Sequence, residues 1–384
     1  GKLGADAIEP LQEKGIDGSK LSVSSILRDR EGALWIGTLD DGIYRVREER
    51  VEHYGAREGL SSNSVISNGL FQDREGIVWV LTSTGIDSFR ERVVSVFSTS
   101  EGLGTDGVES VLPLDNGDVW LGNTELTVLR NDEVVPPTHP ELFAGKAVTS
   151  LMEDADHRVW IGLDKTLQVY DGHTLREVKS REGQSLGVIT ALFQDAHRDV
   201  WAGAVAGPHR LVRIHEREVV EQIDADSIGD PRTIVPDASG FLWLGYLDGH
   251  LSSWENGQLK VVAPRVRGEG RIHALLSEPD GALLIATSAG IVIQNGKKQE
   301  VLGAAAGLPC SNVIAIVRDN AQALWIDATC GIMRIQKREL DRWLEDPGST
   351  VRATLLDVTD GAQTGYGAFE PRAAAGSDGH IWFA

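Results

Sequence analysis

The chain of 384 residues carries 57 acidic and 37 basic side chains, which gives a formal net charge of −20. A nucleic-acid binder needs a basic face to displace counterions, so this charge argues against nucleic acid as a partner. It argues equally against an anionic membrane surface. The 43 glycines and 13 prolines indicate many turns and few long helices. These numbers favour a soluble, turn-rich protein with an uncharged or cationic partner.

The two ends of the sequence show no targeting signal. The opening residues GKLGADAIEP contain neither an initiator Met nor the basic and apolar regions of a signal peptide. The longest apolar stretches, such as residues 313–317, are strand-sized and too short to cross a bilayer. The closing residues HIWFA stop inside what reads as a strand. We therefore expect a segment of a longer protein that makes no membrane contact itself.

The first predicted unit begins at Ser22 and reads as four short strands. Alternating apolar residues predict strands at residues 23–28, 33–37, 43–46 and 51–54, separated by turn residues. The loop REGLSSNSV at residues 57–65 then leads into a second unit, SVISNGLFQDREGIVWVLTSTGIDSF. The first two strands of the unit return in AVTSLMEDADHRVWIGL from Ala147 and in NVIAIVRDNAQALWIDATCGIMRI from Asn312. The chain is therefore an internal repeat.

One position of the repeat marks its period. The second strand carries a tryptophan, and this slot recurs at intervals of 40–44 residues until a last interval of 57. Its occupants are Trp35, Trp79, Trp120, Trp160, Trp201, Trp243, Leu284, Trp325 and Trp382. A period near 41 with four strands per unit predicts an all-β propeller of four-stranded antiparallel blades, because radial stacking buries both faces of each sheet. The tryptophan is expected to wedge between blades, with its N–H requiring a partner.

In most units an aspartate stands in the turn before the second strand. It recurs at Asp29, Asp73, Asp154, Asp195, Asp237 and Asp319. Aspartate caps tight turns by hydrogen bonding to its own backbone, which we favour over calcium binding. The loop lacks the oxygen ligands at the spacing of an EF-hand. We expect no metal and no cofactor.

The segment KRELDRWLEDPG at residues 337–348 interrupts the period. Leu340, Trp343 and Leu344 stand at helical spacing, which predicts a short amphipathic helix over residues 337–346 that ends before Pro347. Its apolar stripe is expected to pack on the propeller. A docking site for another domain or protomer is the alternative.

The motifs GLSSNSV at residues 59–65, GLPCSNV at 307–313 and DREGALWIGT at 29–38 resemble the repeat of the two-component regulator propeller family. The resemblance extends over essentially the whole chain, with departures at Leu284, Ala286 and Asp327. It implies the periplasmic or extracellular sensor region of a membrane-anchored bacterial signalling protein, whose kinase would lie in C-terminal sequence not present here. It also implies a small-molecule or carbohydrate ligand, and it leaves open a homodimer formed through adjoining domains.

Nine slots do not fix the number of blades. Counting back seven slots from Trp382 gives a main propeller over residues 101–384 with a truncated last blade. Residues 1–100 would then be the terminal two blades of a preceding propeller. A single eight-bladed ring is the alternative. We favour the first arrangement, since sensor regions of the family that the repeat resembles often carry two propellers in tandem.

If the first strand of each blade is innermost, the loops that join the strands lie on the two faces of the propeller. The turn face carries the connections from first to second and from third to fourth strands. The crossover face carries the second-to-third connections and the crossings between blades, and propeller pockets usually open there. The polar candidates for ligand binding on the crossover face are Asp40, Asp41, Asn63, Thr82, Asn123, Asp164, His209, His250, His273 and Asn312.

Three histidines among these candidates support a second hypothesis. If His209, His250 and His273 converged on the channel, they could hold zinc or supply a general base. A propeller lyase or hydrolase that resembles virginiamycin B lyase is therefore the alternative to a binding module. No nucleophile elbow, phosphate-binding loop or dinucleotide fingerprint occurs. We therefore expect ligand binding without turnover.

The two cysteines of the chain fall beside one predicted hairpin. Antiparallel pairing about the turn near residue 321 places Cys310 opposite roughly residue 331, next to Cys330. Facing positions in antiparallel strands lie within the Cα separation that a disulfide accepts. We predict a disulfide, which an extracytoplasmic location would allow to form. Two free thiols are the alternative.

Overall fold

The structure is a computed structural model. It describes residues 2–3, 8–9, 12–13, 15–48, 50–74, 76–90, 93–207, 209–224, 229–237, 239–263, 265–266, 270–296, 298–365 and 367–384, with side chains from residue 15 onwards except that of His209. Strands account for 48% and helices for 7% of the structure, which confirms the all-β propeller fold. The chain divides into two compact units, Gly1–Val93 and Val94–Ala384. This division falls before the boundary predicted at residue 100.

The first unit contains one four-stranded sheet and one three-stranded sheet, preceded by two short strand pairs. The strands of the four-stranded sheet start and end within one residue of the predicted positions. A 3-10 helix at Ala56–Glu58 leads from this sheet to the next. The strands are β1 (Lys2–Leu3), β2 (Ile8–Glu9), β3 (Gln12–Glu13), β4 (Ile16–Asp17), β5 (Val23–Arg28), β6 (Leu34–Thr38), β7 (Ile43–Arg47), β8 (Arg50–Tyr54), β9 (Val65–Gln72), β10 (Val78–Thr82) and β11 (Ile86–Phe89).

The second unit contains seven sheets among its described residues, here called blades 1 to 7 in chain order. Blades 1 to 6 have four strands each and blade 7 has two. The strands are β12 (Ser110–Pro113), β13 (Val119–Gly122), β14 (Thr127–Arg130), β15 (Glu133–Val135), β16 (Val148–Glu153), β17 (Val159–Leu163), β18 (Thr166–Tyr170), β19 (Leu175–Val178), β20 (Val188–Gln194), β21 (Val200–Val205), β22 (His209–His215), β23 (Glu218–Asp224), β24 (Thr233–Pro236), β25 (Leu242–Gly245), β26 (Leu251–Glu255), β27 (Gln258–Ala263), β28 (Ile272–Ser277), β29 (Leu283–Thr287), β30 (Gly290–Asn295), β31 (Lys298–Leu302), β32 (Val313–Arg318), β33 (Leu324–Ala328), β34 (Gly331–Ile335), β35 (Ala353–Leu356), β36 (Ala373–Ala375) and β37 (Ile381–Phe383).

The first strands of the seven blades form the inside of a closed ring. Each first strand contacts the first strand of the next blade, in the order β12, β16, β20, β24, β28, β32 and β36. Strand β36 also contacts β12, so blade 7 lies against blade 1. Within each sheet the strands pair antiparallel in sequence order. The first strand of every blade therefore faces a central channel.

Apolar side chains between neighbouring blades form the core of the second unit. Trp160 of blade 2 is fully buried and packs with Leu186 and Ile189, which precede and begin blade 3. The glycine of the second strand permits this packing: a Cβ on Gly162 would come within 2.9 Å of the Ile189 Cβ. Blade 6 has Asp327 at this position, and its side chain is buried. The slot tryptophan thus acts as the predicted wedge.

The helices lie outside the ring pattern. Helix α1 is Pro140–Phe143, helix α2 is Lys337–Glu345, and further 3-10 helices are Thr99–Glu101, Ala304–Ala306 and Val358–Asp360. Helix α2 occupies the predicted segment. Its Leu340 and Trp343 are buried in one cluster with residues of blades 5 and 6, whereas Leu344 is 41% exposed. The apolar stripe therefore packs on the propeller, as expected.

Candidate functional site

The central channel of the second unit is lined by the inner edges of the first strands. An edge strand presents main-chain N–H and C=O groups that its own sheet leaves unpaired. In blades 1 to 3 a chain segment takes up part of this edge. The segment, residues 367–372, is the last part of the connection from β35 to β36 and is called the channel segment below.

The channel segment is hydrogen bonded to the first strands β12, β16 and β20 and to Glu109, the residue before β12. Hydrogen bonds fix the position of the segment, because each one pairs a main-chain group that would otherwise remain without a partner in the channel. The bonds run from Ala368 N to Glu109 Oε2 (2.9 Å), Phe369 N to Glu109 O (3.2 Å), Glu370 N to Thr190 O (3.2 Å), Leu151 N to Glu370 O (3.2 Å) and Val111 N to Pro371 O (2.8 Å).

Arg372 of the channel segment lies close to both Glu370 and His273. The Arg372 guanidinium donates to the main-chain oxygens of His273 and Ala368. Burial raises the pKa of Glu370, although the nearby Arg372 opposes the shift. Burial, with the charges of Arg372 and Arg271, lowers the pKa of His273 to about 4. Among the described residues, Glu370 Oε1 and His273 Nε2 have no hydrogen-bond partner. His273 is therefore a neutral, enclosed imidazole at neutral pH.

A cavity of about 530 Å³ occupies the channel next to Glu370 and Pro371. It includes turn residues such as Asp115 and Ala155, so it opens on the turn face. Of the described residues that line it, the charged ones are all acidic. The lining comprises Leu112, Pro113, Asp115, Leu151, Met152, Glu153, Asp154, Ala155, Leu192, Phe193, Thr233, Ile234, Val235, Pro236, Leu275, Glu370 and Pro371. The cavity thus combines an apolar wall with carboxylates and main-chain polar groups.

Two side chains that line this cavity, Asp115 and Glu153, form a candidate cation site together with the neighbouring His157. His157 Nδ1 lies 3.1 Å from Glu153 Oε1 and 3.4 Å from Asp115 Oδ2. Asp115, Glu153 and His157 each offer one ligand atom. Among the described residues, these are the three atoms that lie close enough together to bind one metal ion. Asp115 and His157 are exposed, and the imidazole already bridges the two carboxylates. The rim is therefore acidic with or without an ion.

The turn aspartates have a structural role. Asp154 Oδ1 accepts the main-chain N–H of Arg158 at 2.9 Å, and Oδ2 accepts Trp160 Nε1 at 2.8 Å. The same pair of contacts joins Asp319 to Ala323 and Trp325. These aspartates both cap the turn and supply the partner that the slot tryptophan requires. The geometry agrees with turn capping and gives no support to a calcium site.

The candidate residues of the first unit lie in its loops or, for Thr82, at the end of β10, and they form local contacts. Asp40 is exposed. Asp41 accepts the Tyr44 hydroxyl at 2.5 Å, and Asn63 Oδ1 accepts the Ala56 N–H at 2.6 Å. Thr82 is buried and shares a hydrogen bond of 2.6 Å with Ser61. Each contact stabilises the loop that contains it.

The described candidate side chains of the second unit do not line the cavity. Asn123 donates to Thr105 at 2.6 Å, and Asp164 accepts the Ala147 N–H at 3.0 Å. His250 stacks on Tyr246 with ring centroids 3.6 Å apart and contacts Asp248 at 2.5 Å.

Two further predicted residues and one unplaced side chain complete the set. Asn312 keeps a buried Oδ1 without a partner among the described residues. His273 lies beside the channel segment, as described above. The side chain of His209 lies outside the described residues. A convergence of the three histidines therefore stays a prediction.

A disulfide joins Cys310 to Cys330, with Cα atoms 6.2 Å apart. Val313 pairs with Ala328 in the hairpin of β32 and β33, so the cysteines sit just beyond the last pair of the ladder. This agrees with the register from which the bond was predicted.

Sequence reasoning missed the channel segment and the acidic cavity on the turn face. The segment GAFEPR carries no alternation of apolar and polar residues, and its hydrogen-bond partners lie in blades 1, 2, 3 and 5, far away in sequence. One signal was available: residues 361–372 form a second departure from the period, between helix α2 and the last slot tryptophan.

Comparison with known proteins identifies one repeat and supports the fold. The family described as two component regulator propeller matches residues 17–40. The extracellular domain of a hybrid two component system from B. thetaiotaomicron is 18% identical over 94% of this chain and 50% of its own, with a TM-score of 0.70. The extracellular domain of a one component system from the same organism is 16% identical over 87% and 48%, with a TM-score of 0.55. No curated protein sequence gives a significant match.

The chain spans about half the length of these solved structures. At such identities the likeness concerns the fold. It agrees with the blades described above, and the match at residues 17–40 falls on the first repeat recognised in the sequence. The chain therefore carries the two component regulator propeller repeat and has the β-propeller fold seen in extracellular domains of bacterial signalling systems.

Proposed function

We propose that the second unit is the ligand-sensing module of a bacterial two-component signalling protein. It binds a small molecule or an oligosaccharide in the central channel and does not convert it. The observation that carries this proposal is the cavity of about 530 Å³ lined by first strands of five blades. Small-molecule sites typically have volumes of about 300–1,000 Å³, with apolar walls and a few converging polar groups.

The charges of the cavity narrow the class of ligand. Asp115, Glu153, Asp154 and Glu370 are its charged lining residues, and no described lining residue is basic. The described lining offers no cation to an anionic ligand, and the nearby Arg158 and Arg372 are already bonded, to Asp154 and to main-chain oxygens respectively. The ring of Phe193 and the main-chain groups of the first strands suit a hydroxylated or amine-bearing molecule. An uncharged or cationic ligand therefore fits best.

The proposed absence of turnover rests on the positions of the histidines. A lyase of the kind considered above needs a general base within reach of its substrate. None of the described residues that line the cavity is a histidine. His250 is held by Tyr246 and Asp248, and His273 is enclosed beside Arg372. These contacts favour a binding module over the lyase alternative.

The proposed location is the periplasmic or extracellular side, in a membrane-anchored protein. The disulfide between Cys310 and Cys330 supports it, because such bonds persist in oxidising compartments. None of the helices in the described part of the chain is long and apolar enough to span a bilayer.

A ligand screen with a blocked-channel variant tests the proposal. Neutral oligosaccharides, amines and anionic oligosaccharides are screened by thermal shift, and calorimetry then measures the affinity of each hit. Ala155 is exposed at the cavity mouth, and Ala196 is the exposed equivalent in the turn of blade 3 but does not line the cavity. We expect Ala155→Trp to abolish binding and Ala196→Trp to leave it unchanged.

A charge variant and a product assay complete this test. For a cationic ligand, Glu153→Gln should weaken binding roughly tenfold, which corresponds to about 1.4 kcal/mol. Unchanged affinity in Ala155→Trp would place the ligand outside the channel. Formation of product from any bound compound would overturn binding without turnover.

A further inference from the structure

A second pocket, of about 430 Å³, lies between blades 1 and 2 and is called the interblade pocket below. The rings of Trp120 from β13 and Tyr170 from β18 form part of its wall. The turns that follow β12 and β16 supply further lining residues, among them Asp115 and His157. The interblade pocket therefore lies on the turn face, beside the cavity in the channel, with which it shares Asp115 and Glu153.

Trp120 carries a hydrogen-bond donor without an acceptor on this wall. In five other repeats Nε1 of the slot tryptophan donates to the turn aspartate six positions earlier, at 2.7–3.0 Å; the pairs are Asp29 with Trp35, Asp73 with Trp79, Asp154 with Trp160, Asp195 with Trp201 and Asp319 with Trp325. In blade 1 this position is Leu114. Trp120 is only 6% exposed, its ring packs against Phe143 and Tyr170, and its Nε1 donates to no described residue. A buried indole N–H usually has a partner. Since the turn of blade 1 lines the interblade pocket, this N–H points to an acceptor that a ligand of the pocket would supply.

Glu153 places an acceptor where other repeats have a donor. It is the last residue of its first strand, and its Oε2 accepts the Asp115 N–H at 3.0 Å. Where a long polar side chain holds this position in other repeats, it donates to the carbonyl oxygen of the residue four positions later. These side chains are Arg28, Gln72, Gln194 and Arg318, at 3.4, 3.1, 3.1 and 2.8 Å. A carboxylate cannot donate, and in blade 2 the residue four positions later is His157.

The charge of Glu153 is also poorly balanced by its neighbours. Among the described residues, neither Glu153 nor Asp115 forms an ion pair with a lysine or arginine; both contact His157. Arg130 lines the interblade pocket, but both oxygens of Asp118 hold its guanidinium, at 2.8 and 2.7 Å. Two carboxylates and an imidazole therefore face one another without a fixed cation.

The separations of the three ligand atoms suit one small metal ion. His157 Nδ1 lies 3.1 Å from Glu153 Oε1 and 3.4 Å from Asp115 Oδ2, and all three atoms lie within 4.8 Å of one another. Ligand atoms of a tetrahedral zinc ion, bonded at about 2.0–2.2 Å, are roughly 3.3–3.6 Å apart. The exposed Asp115 side chain is free to turn and close the longest separation. Imidazole and carboxylate together suit zinc-class ions better than calcium or magnesium.

We propose that Asp115, Glu153 and His157 bind one divalent ion of the zinc class between blades 1 and 2. Three protein ligands leave one position of a tetrahedral site open. That position faces the interblade pocket, where an oxygen ligand of the ion accepts the Trp120 N–H. The site is separate from ligand sensing in the channel, although Asp115 and Glu153 line both pockets.

A calorimetric titration with Zn²⁺ alone tests the proposal, so its outcome does not depend on whether the channel binds an organic ligand. We expect one ion per chain, bound at least about tenfold more weakly by His157→Gly and by Glu153→Gln. Both variants should fold. His157 has a positive φ of 58°, and glycine holds the same turn position at Gly32, Gly76, Gly117, Gly240 and Gly281. Glutamine is the residue of two other repeats at the position of Glu153.

Arg198→Gly is the matched control. Arg198 stands at the position of His157 in the turn of blade 3, with a φ of 67°, and it does not line the interblade pocket. This variant should bind zinc as the unaltered chain does. Unchanged affinity in both His157→Gly and Glu153→Gln, or an equal loss in Arg198→Gly, would overturn the proposal.

A second measurement locates the ion in the interblade pocket. The ten tryptophans give separate indole N–H signals in nitrogen-15 NMR, and the signal of Trp120 is identified by its loss in Trp120→Phe. Zinc should shift this signal in the unaltered chain and not in His157→Gly. The signal of Trp201, whose N–H is bonded to Asp195, should stay in place. A Trp120 signal that zinc leaves unmoved would overturn the proposed position of the ion.

Discussion

Asp327 is the residue at which the repeat and the local chemistry conflict most clearly. It stands where blades 1 to 4 have glycine and blade 5 has Ala286, and its side chain is almost fully buried. Oδ1 has no partner within the described part of the chain. Burial raises the pKa of Asp327 to about 7, against a hydrogen bond with the Ala328 main chain that opposes the shift.

We predict that Asp327→Ala stabilises the protein. Between its ordinary pKa near 3.8 and the folded value near 7, the folded state holds a proton that the unfolded chain releases. The carboxyl therefore destabilises the fold increasingly as pH rises through this window. Removing it should raise the free energy of unfolding by about 1–3 kcal/mol at pH 8, and by less at pH 5. Denaturant unfolding at both pH values measures the change.

Two further variants check the cause. Asp327→Asn keeps the volume of the side chain and removes only its charge. Its gain in free energy of unfolding should therefore depend on pH in the same way as that of Asp327→Ala. Ala286→Asp places a carboxyl in the equivalent position of blade 5 and should lower stability more at pH 8 than at pH 5. A gain in Asp327→Ala that is the same at both pH values would contradict the titration argument.

At the residue scale the sequence revealed the pairs that are close together in the repeat. The turn aspartate always stands six positions before the slot tryptophan, as in Asp154 and Trp160, so their hydrogen bond could have been predicted from that spacing. The disulfide followed from pairing about a single turn. The cluster of Glu370, Arg372 and His273 could not be predicted, because it joins residues about 100 positions apart.

Among the elements, helix α2 is the clearest case in which the sequence pattern and the packing agree. Leu340 and Trp343 are 1% exposed and lie in a cluster with residues of blades 5 and 6. Leu344, one position further along the chain, is 41% exposed. The helix is thus held by two side chains of the predicted stripe.

We predict that Trp343→Ala lowers the free energy of unfolding by about 3–5 kcal/mol, the usual cost of removing a buried aromatic side chain. Leu344→Ala serves as the matched control and should change it by less than about 1 kcal/mol. Denaturant unfolding of the whole chain measures both. Equal effects would mean that the helix is held through both positions.

The strands could be predicted from alternation, and the channel segment could not. Strands β5 to β8 were predicted within one residue, because each alternates apolar and polar side chains and ends at a turn. The channel segment is fixed by bonds to the inner edges of β12, β16 and β20, which exist only once the ring has formed. For that reason the sequence pointed to the crossover face, whereas the cavity opens on the turn face.

At the scale of the whole molecule, the position of the boundary between the units decides whether residues 94–100 belong to the second unit. The sequence placed the boundary at residue 100, because seven slots counted back from Trp382 begin the main propeller near Trp120. The structure assigns residues 94–100 to the second unit. Their contacts explain this: Phe97 packs with Leu103, Val111 and Trp382 in one cluster.

We therefore predict that a chain starting at residue 94 keeps the stability of the second unit and that a chain starting at residue 101 does not. The shorter chain loses Phe97 from its cluster, together with the Thr99 N–H bond of 2.7 Å to Asp106. It should unfold with a free energy lower by about 2–4 kcal/mol, as expected for the loss of a partly buried aromatic side chain and its neighbours. Phe97→Ala in the chain starting at residue 94 should reproduce most of this loss. Denaturant unfolding of the three chains measures the difference. Equal stability of the chains starting at 94 and 101 would contradict this prediction and favour the boundary expected from the sequence.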